Sequence, residues 1–180
     1  LTITVDDDTP VIAPPPIPTN LIVDGQLAGD ANDFQTHGSW SLNGAIDTGG
    51  NLDNGAWTYA ASNVGGSQVQ VERVDSGYRG VTSSNGNPLI DLEASPGNIE
   101  ISQTVHGLTS GQAFQVSFEI GQAADGSGTA KLQVLWNGVP VDTFVPPVGG
   151  TQTYSISVTA LGGDNVLTFR EIGQAGDNTG

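Results

Sequence analysis

The stretch LQVLWNGVPVDTF, residues 132–144, decides the fold of this chain. Apolar side chains recur at every second position before the dipeptide Asn137-Gly138, and a similar period continues after it. The alternating positions are Leu132, Val134 and Trp136 before the dipeptide, and Val139, Val141 and Thr143 after it. Asn-Gly between two alternating runs indicates two antiparallel strands joined by a two-residue hairpin turn.

The same period of two continues on both sides of this hairpin, and no segment shows a helical period. Shorter strands are expected at Asn20–Val23, 57–60, 68–72 and 88–93. The clearest alternating positions elsewhere are Ile99, Ile101 and Val105; Phe114, Val116, Phe118 and Ile120; Tyr154, Ile156 and Val158; and Leu167, Phe169 and Glu171. Many short strands separated by turn residues predict an all-β protein, a jelly-roll β-sandwich.

The first nineteen residues differ in character from the rest. Leu1–Val5 is a short β-type run, three aspartates follow it, and residues 9–18, TPVIAPPPIP, are rich in proline. Proline-rich segments are extended and stiff, and they commonly separate domains. We therefore expect residues 1–19 to be the end of a preceding domain with its linker, and residues 20–180 to form one β-sandwich.

The charge balance excludes some partners and suggests another. The chain has 19 acidic and 4 basic residues, a formal net charge of −15, and no cysteine. Without a basic patch we expect neither nucleic-acid binding nor electrostatic binding to anionic membranes, and no apolar run is long enough for membrane insertion. The acids either keep the surface solvated or bind calcium through their oxygen atoms.

The stretch VERVDSGYRGVTSSNGNPLIDLEAS, residues 71–95, concentrates candidate ligands. Alternation along the second strand puts Leu89, Asp91 and Glu93 on one face, where two carboxylates repel each other unless a cation or solvent separates them. The sequence therefore predicts Ca2+ as a cofactor. The predicted metal ligands are Glu72, Asp75, Asp91, Glu93, Asp125, Glu171 and Asp177.

Catalytic constellations are not visible in the sequence. The two histidines, His37 and His106, stand in no metal-ligand spacing, and no serine sits in a nucleophile elbow. Asp91 with Glu93, or Glu72 with Asp75, could in principle act as a glycosidase pair, but strand neighbours two apart suit a cation better. We expect a binding protein and no enzyme.

The aromatic residues divide into two groups. Trp57 and Trp136 fall on strands and are expected to be core residues. Tyr78 and Trp40 lie among Gly, Ser and Asn, where an aromatic ring can stack against a ligand.

Several motifs together carry a resemblance to a known family. They are Glu72, GYRGV at 77–81, LIDLE at 89–93, ISQTV at 101–105, SF at 117–118, VLWNG at 134–138 and LTFRE at 167–171. In this order they resemble the ligand-binding jelly-roll domains of giant calcium-dependent RTX adhesins of Gram-negative bacteria. The same outline is similar, more broadly, to carbohydrate-binding-module-like sandwiches. The family's usual closing strand of the type L-D-N-V is not in this sequence.

The resemblance implies a function and a site. It implies that residues 1–19 are the end of a preceding extender domain with its linker, and that residues 20–180 are a ligand-binding β-sandwich. This sandwich would be a calcium-dependent, monomeric module within the long chain of an extracellular, cell-surface adhesin. It would capture a peptide end on host or partner-cell surface proteins for adhesion and biofilm formation. The implied ligand-binding residues are Glu72, Asp75, Tyr78, Arg79, Asp91 and Asp125. A calcium ion there would let an acidic protein hold a carboxylate. The alternatives are a lectin-like module that binds a glycan and a structural spacer.

Overall fold

A computed structural model describes residues 20–23, 25, 35–37, 49–52, 55–62, 72–93, 98–126 and 128–174. The predicted extender end and linker, Trp40 and Asp177 lie outside these residues. Among the described residues, no helix is long and apolar enough to cross a membrane.

Eleven β-strands make up almost all of the regular structure in the described part of the chain. They are β1 (Gln35–His37), β2 (Gly49–Leu52), β3 (Trp57–Ala61), β4 (Glu72–Val74), β5 (Leu89–Asp91), β6 (Ile99–Leu108), β7 (Ala113–Gln122), β8 (Leu132–Trp136), β9 (Val139–Phe144), β10 (Gly150–Thr159) and β11 (Gly163–Glu171). A short 3-10 turn, Tyr78–Gly80, lies between β4 and β5. The all-β prediction is confirmed.

The strands form one large sheet and two small ones. The six-stranded sheet has the order β2-β3-β6-β11-β8-β9, β10 pairs with β7, and β1, β4 and β5 form a three-stranded sheet. All pairings are antiparallel except the parallel pair of β1 and β4. This pattern of hairpins and longer connections is that of a β-sandwich.

The core lies between the six-stranded sheet and the β7–β10 pair. The Phe118 ring of β7 meets Phe169 of β11 at a centroid distance of 5.1 Å and Phe144 of β9 at 5.3 Å. Both predicted core tryptophans are buried, Trp57 at 3% exposure and Trp136 at 9%. The alternation seen in the sequence therefore marks the faces that the two sheets turn towards each other.

The Asn-Gly hairpin forms as predicted. Asn137 and Gly138 both have positive φ, 53° and 76°, which matches the right-handed twist of the flanking strands β8 and β9. The Asn137 side chain donates to Asn165 Oδ1 and accepts from the backbone N–H of Val166, both at 2.8 Å. These two hydrogen bonds fasten the turn to β11, the strand next to β8 in the same sheet.

The strand expected at Asn20–Val23 does not form. The carbonyl and N–H of Val23 instead pair with the side chain of Gln103, at 2.7 and 2.8 Å, and Asn20 accepts from the N–H of Ile22. A buried glutamine on β6 thus takes the place of a strand ladder, a contact 80 residues away that local pattern cannot reveal.

Candidate functional site

The first part of the candidate site is the hairpin of β4 and β5 with the loop between them. Glu72 and Asp91 are direct cross-strand partners. After β4 the chain turns at Gly77, whose φ is 98°, and its N–H donates to the Val81 carbonyl at 2.8 Å. This turn presents Tyr78 and Arg79 beside the two carboxylates.

An ion pair ties this loop to the end of β7. Arg79 Nε donates to Asp125 Oδ1 at 2.9 Å, and the N–H of Ala124 donates to the Arg79 carbonyl at 2.8 Å. The hydrogen bond from Arg79 holds the pKa of the Asp125 carboxyl below its usual 3.8. Arg79 itself has a φ of 46°, a left-handed conformation that is uncommon for a residue with a side chain.

The phenol of Tyr78 lies close enough to four charged residues for each of them to affect its pKa. Burial raises the pKa of its phenol above 10.0, and the Arg79 guanidinium opposes that rise. The carboxylates of Glu72, Asp91 and Asp125 each act to raise the same pKa, because a nearby negative charge disfavours the phenolate. We call these five residues the rim: Glu72, Tyr78, Arg79, Asp91 and Asp125.

The structure therefore brings together five of the six predicted ligand-binding residues. The sixth, Asp75, has an exposed side chain, and its carbonyl accepts from the N–H of Tyr78 at 2.9 Å. Asp75 thus shapes the loop through its main chain.

A cavity of about 530 Å³ opens beside the rim. Its floor is apolar and comes from the six-stranded sheet, with Ile101, Leu167 and Phe169 among its residues. Tyr78 and Arg79 line its wall, whereas Glu72, Asp75 and Asp125 stand outside the lining. The volume falls within the range of small-ligand pockets.

The predicted metal ligand Glu93 is in an unexpected place. β5 ends at Asp91, the N–H of Glu93 donates to Asp91 Oδ1 at 2.8 Å, and Glu93 is only 2% exposed. The bend after β5 therefore separates Glu93 from the face of Asp91 that the alternation predicted. The two carboxylates therefore differ in burial, since Glu93 is fully buried and Asp91 is half-buried at the rim.

A second buried carboxylate, Glu171 at the end of β11, is 4% exposed and also lines the cavity. Its Oε1 accepts from the N–H groups of Lys131 and Gly173. The Nδ2 of Asn98 donates to the Gly173 carbonyl, while its buried Oδ1 accepts no hydrogen bond from the described residues. Carboxylate and amide oxygens are the ligands that calcium prefers, and Glu93, Glu171 and Asn98 offer such oxygens in buried positions.

Within the described ranges, no group of three His, Cys, Asp or Glu side chains stands close enough to hold a metal. Asp177, the remaining predicted ligand near the end of β11, lies outside those ranges. Calcium binding therefore stays a prediction.

Glu119 on β7 belongs to the site but was not predicted from the sequence. Its carboxylate accepts from the N–H and the hydroxyl of Ser84, both at 2.9 Å, and from the hydroxyl of Thr151. Burial alone would raise the pKa of Glu119, but the hydrogen bonds from Thr151 and Ser84 outweigh it and lower the pKa below 4.5. The carboxylate fixes the loop before β5, which forms one wall of the cavity.

Comparisons with known proteins concern the fold. No protein-family model matches the chain, and no curated protein matches it. Solved structures with a similar arrangement of strands include a family 35 carbohydrate binding module from Clostridium thermocellum, which is 17% identical and has a TM-score of 0.39. The alignment covers 54% of this chain and 75% of that module. Another family 35 carbohydrate binding module, from an environmental isolate, is 16% identical and has a TM-score of 0.37. The alignment covers 49% of this chain and 63% of that module.

A third similar structure is the exo-β-1,3-galactanase of Phanerochaete chrysosporium with galactose, at 16% identity and a TM-score of 0.41. The alignment covers 75% of this chain but only 28% of the galactanase. Two of these structures are carbohydrate binding modules, and the resemblance to adhesin domains stays a prediction. Likenesses at this level do not identify a ligand.

Proposed function

We propose that this chain is a calcium-dependent binding module that holds a carbohydrate at the rim. The observation that supports the proposal is the composition and placement of the rim. A half-buried tyrosine, the Asp91 carboxylate and an ion-paired arginine line one cavity, and Glu72, the cross-strand partner of Asp91, stands outside its lining. Sugars offer hydroxyl groups to carboxylates and an apolar ring face to an aromatic side chain, so this set of groups suits them.

The rim is proposed to bind without catalysis. Asp125 is engaged by Arg79, and Asp91 accepts a hydrogen bond from the main chain of Glu93. Glu72 and Asp91, as direct cross-strand partners, have their Cβ atoms about 5 Å apart and emerge on the same side. Side chains so arranged are suited to contacting one face of a ligand.

Calcium is proposed to act beside the rim. An ion held by Glu93, Glu171 and Asn98 would neutralise buried carboxylates whose removal from water otherwise costs several kcal/mol each. Its role would be to fix the ends of β5 and β11, two strands whose residues line the cavity.

The setting proposed for this module is the surface of a bacterial cell, within an extracellular adhesin. The peptide ligand predicted from the sequence, a chain-terminal carboxylate held through calcium, is the other candidate for the rim. It would require a calcium ion at Asp91 and Glu72, where the ion would reverse the local charge.

The experiment that tests the proposal is an array of glycans and free-C-terminal peptides, probed in calcium and in EDTA. We expect glycan signals that fall at least tenfold with Tyr78→Ala and survive with Tyr78→Phe, which keeps the ring. Signals only on peptides, abolished when their C-termini are amidated, would replace the carbohydrate with a peptide.

Calcium is tested separately by thermal unfolding. With calcium at about 100 times its Kd, binding to the folded state adds about 2.7 kcal/mol to the free energy of unfolding. Glu171→Gln should abolish the rise, and Asp164→Asn, at an exposed position of β11, should leave it intact. An equal melting temperature in calcium and EDTA would refute the calcium site.

A further inference from the structure

The four lysine and arginine residues of this chain are distributed unevenly around the cavity. Arg79 lines the cavity, whereas Arg73, Lys131 and Arg170 are not among its lining residues. Arg170 is ion-paired with Glu100 of the neighbouring strand β6. Arg79 is therefore the one lysine or arginine that a ligand in the cavity can meet.

Carboxylates outnumber this guanidinium at the site. The rim holds three of them, on Glu72, Asp91 and Asp125, and Arg79 Nε already donates to Asp125 at 2.9 Å. One guanidinium against three carboxylates leaves two negative charges at the rim. Glu119 also lines the cavity, and the hydrogen bonds that lower its pKa keep it ionised at neutral pH. The cavity is therefore a negatively charged environment for a ligand.

Calcium at its proposed position would not remove this charge. The carboxylates proposed to hold the ion, Glu93 and Glu171, are buried and do not belong to the rim. The two positive charges of the ion would balance these two carboxylates and leave the rim as it is. The negative charge of the rim thus does not depend on the calcium proposal.

The pair of Glu72 and Asp91 suits a particular kind of cation. The two residues are direct cross-strand partners, where like charges repel each other. Calcium takes about six to eight oxygen ligands, and in the described part of the chain no three His, Cys, Asp or Glu side chains are grouped to hold a metal. An ammonium group needs fewer partners, because it has three N–H donors and a carboxylate offers only acceptors. Two carboxylates on one side of a strand pair can therefore bind one ammonium group.

We propose that the ligand of this site is a sugar that carries a protonated amine, namely a hexosamine whose amino group is not acetylated. This inference rests on the carbohydrate binding proposed above. The sugar ring packs against Tyr78, and the ammonium group donates to Glu72 and Asp91. Charge-assisted hydrogen bonds are about twice as strong as neutral ones, so the amine adds to what the hydroxyl groups supply. A uronic acid is disfavoured by the same carboxylates, because Arg79 is engaged by Asp125.

The test measures the binding of matched sugars to the whole chain by calorimetry. Methyl glycosides of glucosamine, galactosamine and mannosamine are compared with their N-acetylated forms at about pH 6, where a primary amine carries its proton. Acetylation keeps the ring and removes the charge. At least one amine should bind about tenfold more tightly than its acetylated form, the size expected of one hydrogen bond between charged groups. This preference should shrink several-fold between about 0.05 and about 0.5 M salt, because salt screens exposed charges.

A pair of matched variants locates the amine. Asp91→Asn removes one charge from the rim and keeps an oxygen that can accept from the N–H of Glu93, so it should reduce the preference for the amine several-fold. Asp142→Asn removes the same charge at an exposed position of β9 outside the cavity lining, and it should leave the preference unchanged. Melting temperatures of both variants show whether a loss of binding comes from unfolding. Equal losses in the two variants would mean that the net charge of −15 attracts the amine and that the rim does not select it.

Three further results would overturn the proposal. If neutral sugars bind through Tyr78 and no amine binds more tightly than its acetylated form, the amine is refuted and the carbohydrate proposal stands. Tighter binding of a methyl glucuronide than of the neutral methyl glucoside would reverse the sign of the selectivity. Equal binding of Nα-acetyl-lysine amide, which has the charge without a sugar ring, would make the amine of a protein the ligand. A failure of every sugar to bind would instead refute the carbohydrate proposal itself, and this inference with it.

Discussion

Replacing Glu119 with glutamine should destabilise the protein in a way that depends on pH. The carboxylate accepts three hydrogen bonds from Ser84 and Thr151, which join the loop before β5 to β7 and β10. Glutamine keeps one acceptor oxygen and loses the charge. With a net value of about 0.5–1.5 kcal/mol per hydrogen bond, and with partial exposure of the site, Glu119→Gln should cost about 1–2 kcal/mol at pH 7.

The pH dependence follows from the lowered pKa of Glu119. A carboxyl whose pKa is lower in the folded state stabilises the protein fully above its unfolded pKa, here about 4.5. That contribution is lost as the pH falls through the folded-state pKa. The difference in stability between the natural protein and Glu119→Gln should therefore be largest at neutral pH and shrink as the pH falls below about 4.5 and through the folded-state pKa.

Urea unfolding and melting curves from pH 7 to pH 3 measure this difference. For a chain of this size, about 1–2 kcal/mol corresponds to a drop in Tm of about 2–8 °C. Asp164→Asn is the matched control, since its exposed pair with His106 contributes little. A difference between Glu119→Gln and the natural protein that is constant over this pH range would refute the assigned role of the carboxylate.

Three further changes have expected outcomes. Leu167→Ala, in the core and 1% exposed, should lower the free energy of unfolding by about 2–5 kcal/mol, whereas Leu161→Ala, 72% exposed, should leave it nearly unchanged in urea titrations. Gly80→Ala should lower Tm, because Gly80 has a φ of +84° and a Cβ there would lie 2.8 Å from a neighbouring alanine methyl. Arg79→Gln should raise the pKa of Tyr78 further in a spectrophotometric titration, because the guanidinium opposes that rise.

Each of these three predictions would be contradicted by a specific result. Similar losses for the two leucine substitutions would mean that the core is not where the strand faces put it. An unchanged Tm for the alanine in the 3-10 turn would mean that the loop moves freely. A fall in the tyrosine pKa on removal of the guanidinium would mean that the arginine is not beside the phenol.

Much of the fold could be predicted because its signals are local. Alternation and an Asn-Gly turn located β8 and β9, and the same period located the faces of β6, β7 and β10. The small sheet of β1, β4 and β5 was not foreseen as a separate unit. Its strands are three residues long, too short for a clear period, and their pairing depends on contacts across the sequence.

In the candidate site, too, the residues that lie close together in the sequence could be predicted, and the contacts between distant residues could not. Glu72, Tyr78, Arg79 and Asp91 come together because one hairpin carries all four, so a motif within about twenty residues reveals them. Glu119 contacts Ser84 across 35 residues of sequence, and nothing near Glu119 signals that contact. Glu93 was predicted as a ligand, but its burial depends on a bend after β5 that the alternating pattern conceals.

The Asn-Gly turn has a consequence for the chemical lifetime of the protein. In a flexible chain, asparagine before glycine deamidates readily, because the glycine nitrogen attacks the side-chain amide carbon to close a succinimide ring. Here both ends of the Asn137 amide are held by β11, the nitrogen by Asn165 and the oxygen by Val166. The amide cannot swing towards Gly138 without breaking both contacts, so folding itself slows the ageing of this turn. Mass spectrometry of stored samples should find isoaspartate there mainly after unfolding.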